Sequence, residues 1–146
     1  EVQRIWSVFI KSSESPEAAG EAIYSTFFDA APSLQNLFKT PRAVMAMRFM
    51  AGFHQIITTL KDPKALRVLV ETLGFQHMDL DVTGPRVVIF RDAIVDLLAI
   101  EVGELFSQVG REGFLIMFNY VGGAYIYVRT KYAERLRTLA TSWARA

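Results

Sequence analysis

The chain has 146 residues, enough for one domain with a substantial core. It is 51% hydrophobic and 21% charged, and its net charge of +1 comes from scattered lysines and arginines, which argues against a nucleic acid partner. It has no cysteine, which excludes disulfides, thiolate zinc sites and cysteine nucleophiles and fits a cytoplasmic or other reducing compartment.

The sequence starts at Glu1 and carries no signal-peptide pattern, so a processed or excised domain spanning 1–146 is expected. Capping residues followed by proline then punctuate the chain: Ser15-Pro16, Thr40-Pro41 and Asp62-Pro63. A side-chain oxygen satisfies free amides of a first helical turn, and proline fits there because its missing N–H would be unpaired anyway. Thr83-Gly84-Pro85 is a looser version, and Ser107 can cap the last helix. The apolar spacing then predicts helices over 2–12, 16–30, 41–61, 63–77, 85–106 and 108–140, with a short turn between Pro32 and Phe38. "RVVIF" (86–90) is rich in β-branched residues, but "AIVDLLAIEVGELF" continues it with helical spacing. The expected class is all-α, with about six main helices.

The third helix places Met45, Phe49, Gly52, Phe53, Ile56 and Leu60 on one stripe, with Arg48 at its edge. The fourth aligns Leu66, Leu69, Val70, Leu73 and His77. A histidine ending an apolar face is either a quiet core residue or a metal ligand. His54 lies off its stripe and is expected near the surface. No nucleophile–base pair is visible. The acids of "HMD" and "DLD", Asp79 and Asp81, read more simply as solvated than as a non-haem metal site.

The last helix contains "GFLIMFNYVGGAYIYV" (113–128), uncharged for 16 residues but short of the ~20 that span a bilayer. Membrane contact is therefore not expected. Phe114, Met117, Phe118, Val121, Tyr125, Val128 and Tyr132 form one face; Ile116, Tyr120, Gly123, Ala124 and Tyr127 form much of another. Either this helix runs through the centre of the domain or its second face meets a partner.

The helix order, "LGFQH" followed by Val82, and "APSLQNLF" together resemble the globin superfamily. Trp6, Gly20 and the long final pair of helices agree. The resemblance implies haem b, with His77 as the iron ligand, Phe38 stacked on the porphyrin and Tyr24 facing the distal side. Met45, Arg48 and Phe49 then fall on the distal helix, and Val82 borders the haem. Tyrosine can donate a hydrogen bond to a bound gas, whereas methionine cannot; Arg48 can pair with a propionate. The short fourth helix and its loop are missing, because only six residues separate Phe38 from Met45. Truncated and sensor globins share such short connections.

The implied function is reversible binding of a diatomic gas, in oxygen sensing, storage or transport. A haem-free globin-like module for assembly is the alternative, with Phe38, Phe49 and Met45 filling a collapsed pocket. A homo- or hetero-oligomer through the last two helices is compatible with either. An enzyme such as a nitric oxide dioxygenase is a third reading, and no reductase domain lies in these residues.

Overall fold

A computed structural model of the protein describes residues 1–78, 80 and 82–145. Six α-helices form the described chain: α1 (Val2–Ser12), α2 (Pro16–Ala30), α3 (Arg42–Thr58), α4 (Pro63–Gln76), α5 (Gly84–Val102) and α6 (Gln108–Arg145). Two 3-10 turns, Pro32–Leu37 and Gly103–Leu105, complete it, and there is no strand among the described residues. No helix of these residues is long and apolar enough to cross a membrane.

Most helix starts follow from the capping chemistry. The Ala18 amide donates to Ser15 Oγ at 3.0 Å, Ala65 to Asp62 Oδ1 at 3.2 Å, Arg86 to Thr83 Oγ1 at 3.4 Å and Gly110 to Ser107 Oγ at 3.0 Å. Thr40 departs from the expectation: α3 starts at Arg42 with Pro41 at the cap position and no side-chain cap. The helix expected over 85–106 ends its α-form at Val102. Gly103 adopts φ +64°, a conformation that glycine reaches without steric cost, and this turns the chain into the 3-10 segment. The β-branched "RVVIF" is helical within α5, where packing overrides local preference.

Packing is dominated by α2 against α3, by α6 against α4 and α5, and by α2 against α5. Phe9, Phe114, Ile5, Ile23, Ile57, Ile94, Leu98, Val70 and Val95 are wholly enclosed, so all six helices share one core. Each such side chain contributes roughly 1.5–3 kcal/mol relative to exposure. His54 is exposed as expected, and its Nδ1 accepts from the Trp6 indole at 3.3 Å, tying α1 to α3.

The stripes sit differently from the sequence expectation. On α3 the expected Phe53 and Ile56 are enclosed together with Ala46, Met50 and Ile57, while Met45, Phe49 and Gly52 are only half-covered. On α4 only Val70 and Gly74 are enclosed; Leu66, Leu69, Leu73 and His77 are half-covered. The reason is the direction of packing: α3 leans on α2 and α4 leans on α6. The two helices therefore each keep an apolar flank that the chain does not fully cover.

The last helix is decided as well. Its Phe114 face is enclosed, but Ile116, Tyr120 and Tyr127 are exposed, and an open cleft of about 580 Å3 lies between α4 and α6 beside Gly123. It does not run through the centre of the domain. Leu136, Leu139 and Trp143 are also exposed near its end.

Candidate functional site

His77 occupies the C-cap of α4, half-buried. The free carbonyls of the last helical turn lie within reach there, and its Nδ1 is 2.6 Å from the Leu73 oxygen. A carbonyl oxygen only accepts, so the contact requires the proton on Nδ1. In the neutral ring the lone pair is then on Nε2, the arrangement that suits a metal ligand. The imidazole also stacks on Tyr125 of α6, with centroids 4.6 Å apart and 24° between planes.

That close approach depends on Gly74. A Cβ at this position would lie 3.3 Å from Val128 Cγ2 and 3.5 Å from Tyr125 Cδ1. Burial pushes the Tyr125 phenol well above its usual pKa, so it remains neutral over the ordinary pH range.

A second group of residues gathers where α2, α3 and the first 3-10 turn meet. Tyr24, Phe27, Phe28, Ala31, Leu34 and Ala46 are enclosed, with Phe38, Met45, Phe49 and Phe90 half-covered around them. The rings interlock edge to face: Phe28 to Phe38 at 5.1 Å, Phe38 to Phe49 at 6.3 Å and Phe49 to Phe90 at 6.1 Å. Tyr24 packs on Phe28 at 4.6 Å. Its hydroxyl accepts from Gln35 Nε2 at 3.2 Å, which leaves its own proton free to donate. Arg42 covers the outer face of the Tyr24 ring at 4.7 Å while holding Glu21 and Ser25.

The structure thus brings Tyr24, Phe38, Met45 and Phe49 to one cluster. His77 belongs to the α4–α6 layer, and half-buried Val82 lies in the connection that follows. Leu66, Leu69, Leu73, Phe49 and Phe90 all border the same main core, so the two groups share one floor. Arg48 is on the exposed side of α3. Among the described residues no three His, Cys, Asp or Glu side chains converge to hold a metal ion. Asp79 and Asp81 lie outside the described residues. Sequence reasoning did not find Tyr125, Gln35, Arg42 or Phe90 as neighbours of the site. Tyr125 is 48 positions from His77, and only packing joins them.

The described chain is thus a bundle of six α-helices with an imidazole at the end of the fourth and an aromatic cluster where the second and third meet. The globin family model matches residues 21–112, most of the chain from α2 into the start of α6, and the protein belongs to the globin family. The seven residues that the resemblance assigns to the haem site lie within that stretch. No curated protein matches the chain closely enough to count as a relative.

Proposed function

We propose that this globin holds haem b through His77 Nε2 and binds a diatomic gas reversibly. The observation that carries the reading is the tautomer of His77, set by the Leu73 carbonyl, which leaves one ring nitrogen free for iron. The half-covered flanks of α3 and α4 support it, because apolar residues left partly exposed in two neighbouring helices suit a flat apolar guest.

The donor set fits the group: one imidazole and an apolar surround. When bound, haem supplies an iron site for the gas. The chain's residues do the rest. Phe38, Phe49, Met45 and Val82 exclude water, Tyr24 offers its free hydroxyl proton to the bound ligand, and exposed Arg48 can pair with a propionate at the rim. Haemin added to the purified protein is expected to give a Soret band that His77→Ala abolishes or strongly weakens. A protein that stays colourless with added haemin would overturn the reading.

A second reading is favoured by one observation. Phe38 and Phe49 already touch, with centroids 6.3 Å apart, and Met45 packs against the same group, as in a pocket closed on itself. In that case the domain is a haem-free module for assembly, and the exposed Ile100 of α5 with Ile116 and Tyr127 of α6 is its partner surface. The haemin titration separates the two readings. Sedimentation velocity tests the oligomer; a monomer at high concentration removes the partner surface from either account.

A further inference from the structure

We infer that Tyr125 is the positioning residue that fixes the plane of the His77 imidazole, so that Nε2 is aimed in one direction before any ligand arrives. The inference rests on the haem reading above and deepens it.

A side chain such as histidine turns about two bonds, and two constraints are needed to hold it. The Leu73 carbonyl supplies one: it accepts from Nδ1 at 2.6 Å and anchors one corner of the ring. That contact leaves the ring free to swing about the anchored corner. The Tyr125 stack supplies the second, with a face-to-face contact at 4.6 Å and 24° that blocks the swing on one side.

The platform is itself held rigidly. Val128, one turn along α6, is enclosed against Gly74, and the missing Cβ of Gly74 lets α6 close on the last turn of α4. Phe75 packs on Tyr132 at 4.9 Å one further turn along, so two successive contacts beside the His77–Tyr125 pair hold α4 and α6 together. The hydroxyl is not needed for this role; the ring is.

Two variants separate ring from hydroxyl. Tyr125→Phe keeps the stack, and Tyr125→Leu removes it while keeping apolar volume. In the haem-free protein, NMR of the His77 ring protons is expected to show upfield ring-current shifts in the wild type and in Tyr125→Phe, lost in Tyr125→Leu. With haemin bound, the Phe variant is expected to match the wild type in Soret position and in haemin release to a scavenger. The Leu variant is expected to release haemin roughly tenfold faster, the range seen when the orienting partner of a metal-bound histidine is lost. Its ferrous iron–histidine stretch in resonance Raman spectra is expected to broaden or shift.

A Leu variant that keeps the wild-type release rate and stretch overturns the inference and leaves the haem reading intact. A wild type that takes up no haemin overturns both. Loss of folding in the Leu variant is read by circular dichroism, and the ring-current shifts of His77 in the haem-free wild type and Tyr125→Phe then decide: their presence in both supports the stack, and their absence overturns the inference. A Phe variant that differs from the wild type in release rate and stretch overturns the ring-only role.

Discussion

Gly20 of α2 and Ala46 of α3 meet backbone to backbone: a Cβ built on Gly20 would lie 2.7 Å from the Ala46 carbonyl oxygen. This contact sets the crossing of the two helices and, through it, the register of α3. Met45 and Phe49 lie beside the line that Ala46 and Met50 bury, so the crossing decides which side chains reach the aromatic cluster. Gly20→Ala is expected to destabilise the fold by about 1–3 kcal/mol, because backbone rather than a flexible side chain must give way. Urea unfolding checks this, with a lowered midpoint and an unchanged slope.

Adjacent glycines in α6 should respond in opposite ways. A Cβ on Gly122 would fall 2.4 Å from Val87 Cγ1 and 2.8 Å from Cγ2, and a valine is stiff about χ1. Gly123 is exposed and has nothing within 4 Å. Gly122→Ala is expected to lower the thermal midpoint. Gly123→Ala is expected to raise it, since alanine is favoured over glycine in a helix by up to about 1 kcal/mol. Equal effects at the two positions would mean that α5 and α6 do not pack as described.

The Tyr24 hydroxyl accepts from Gln35 Nε2 and so keeps its own proton to donate, which the proposed haem reading assigns to the bound gas. Tyr24→Phe is expected to leave haemin uptake unchanged and to speed oxygen dissociation about tenfold, the equivalent of one hydrogen bond of roughly 1–1.5 kcal/mol. Stopped-flow displacement of oxygen by carbon monoxide measures this. An unchanged rate assigns the donor role elsewhere.

The first residue is a pH-dependent tether. Arg4 first, and then the Ser107 hydroxyl, hold the Glu1 carboxyl at about 2, below its ordinary 4.5. Arg4 also donates to the Leu105 carbonyl at 2.8 Å, so the group staples α1 to the turn between α5 and α6. The folded protein binds this proton less readily than the unfolded chain. The contribution of Glu1 is therefore complete above 4.5 and is lost as pH falls toward about 2. The difference in melting temperature between wild type and Glu1→Gln is expected to shrink over that interval, and screening by salt should reduce it further.

The helices and most of their starts were legible because the signals are local. Ser15, Asp62, Thr83 and Ser107 each satisfy an amide three residues away, so the order of the chain already contains the contact. The missing segment before α3 was legible for the same reason: the chain from Phe38 to Pro41 has room for a connection and no helix. The end of α5 was not: the spacing carried the expected helix on to 106, whereas its α-form ends at Val102 and Gly103 turns the chain. The apolar stripes were legible only in part. Periodicity placed Phe53, Ile56 and Val70, which are buried, on the apolar stripes, but also Met45, Phe49 and Leu73, which are half-covered while Ala46, Met50 and Gly74, one residue further along, are enclosed.

What the sequence alone determined is the all-α class, the helix order and the presence of His77 at the end of an apolar face. These depend on spacing and capping within a few residues. What only the tertiary structure decided is which flank each helix buries, the stacking of His77 on Tyr125 of α6, and the exposure of the outer face of α6. Those depend on contacts between residues far apart in the chain, where steric fit among helices, and not periodicity, chooses the neighbour.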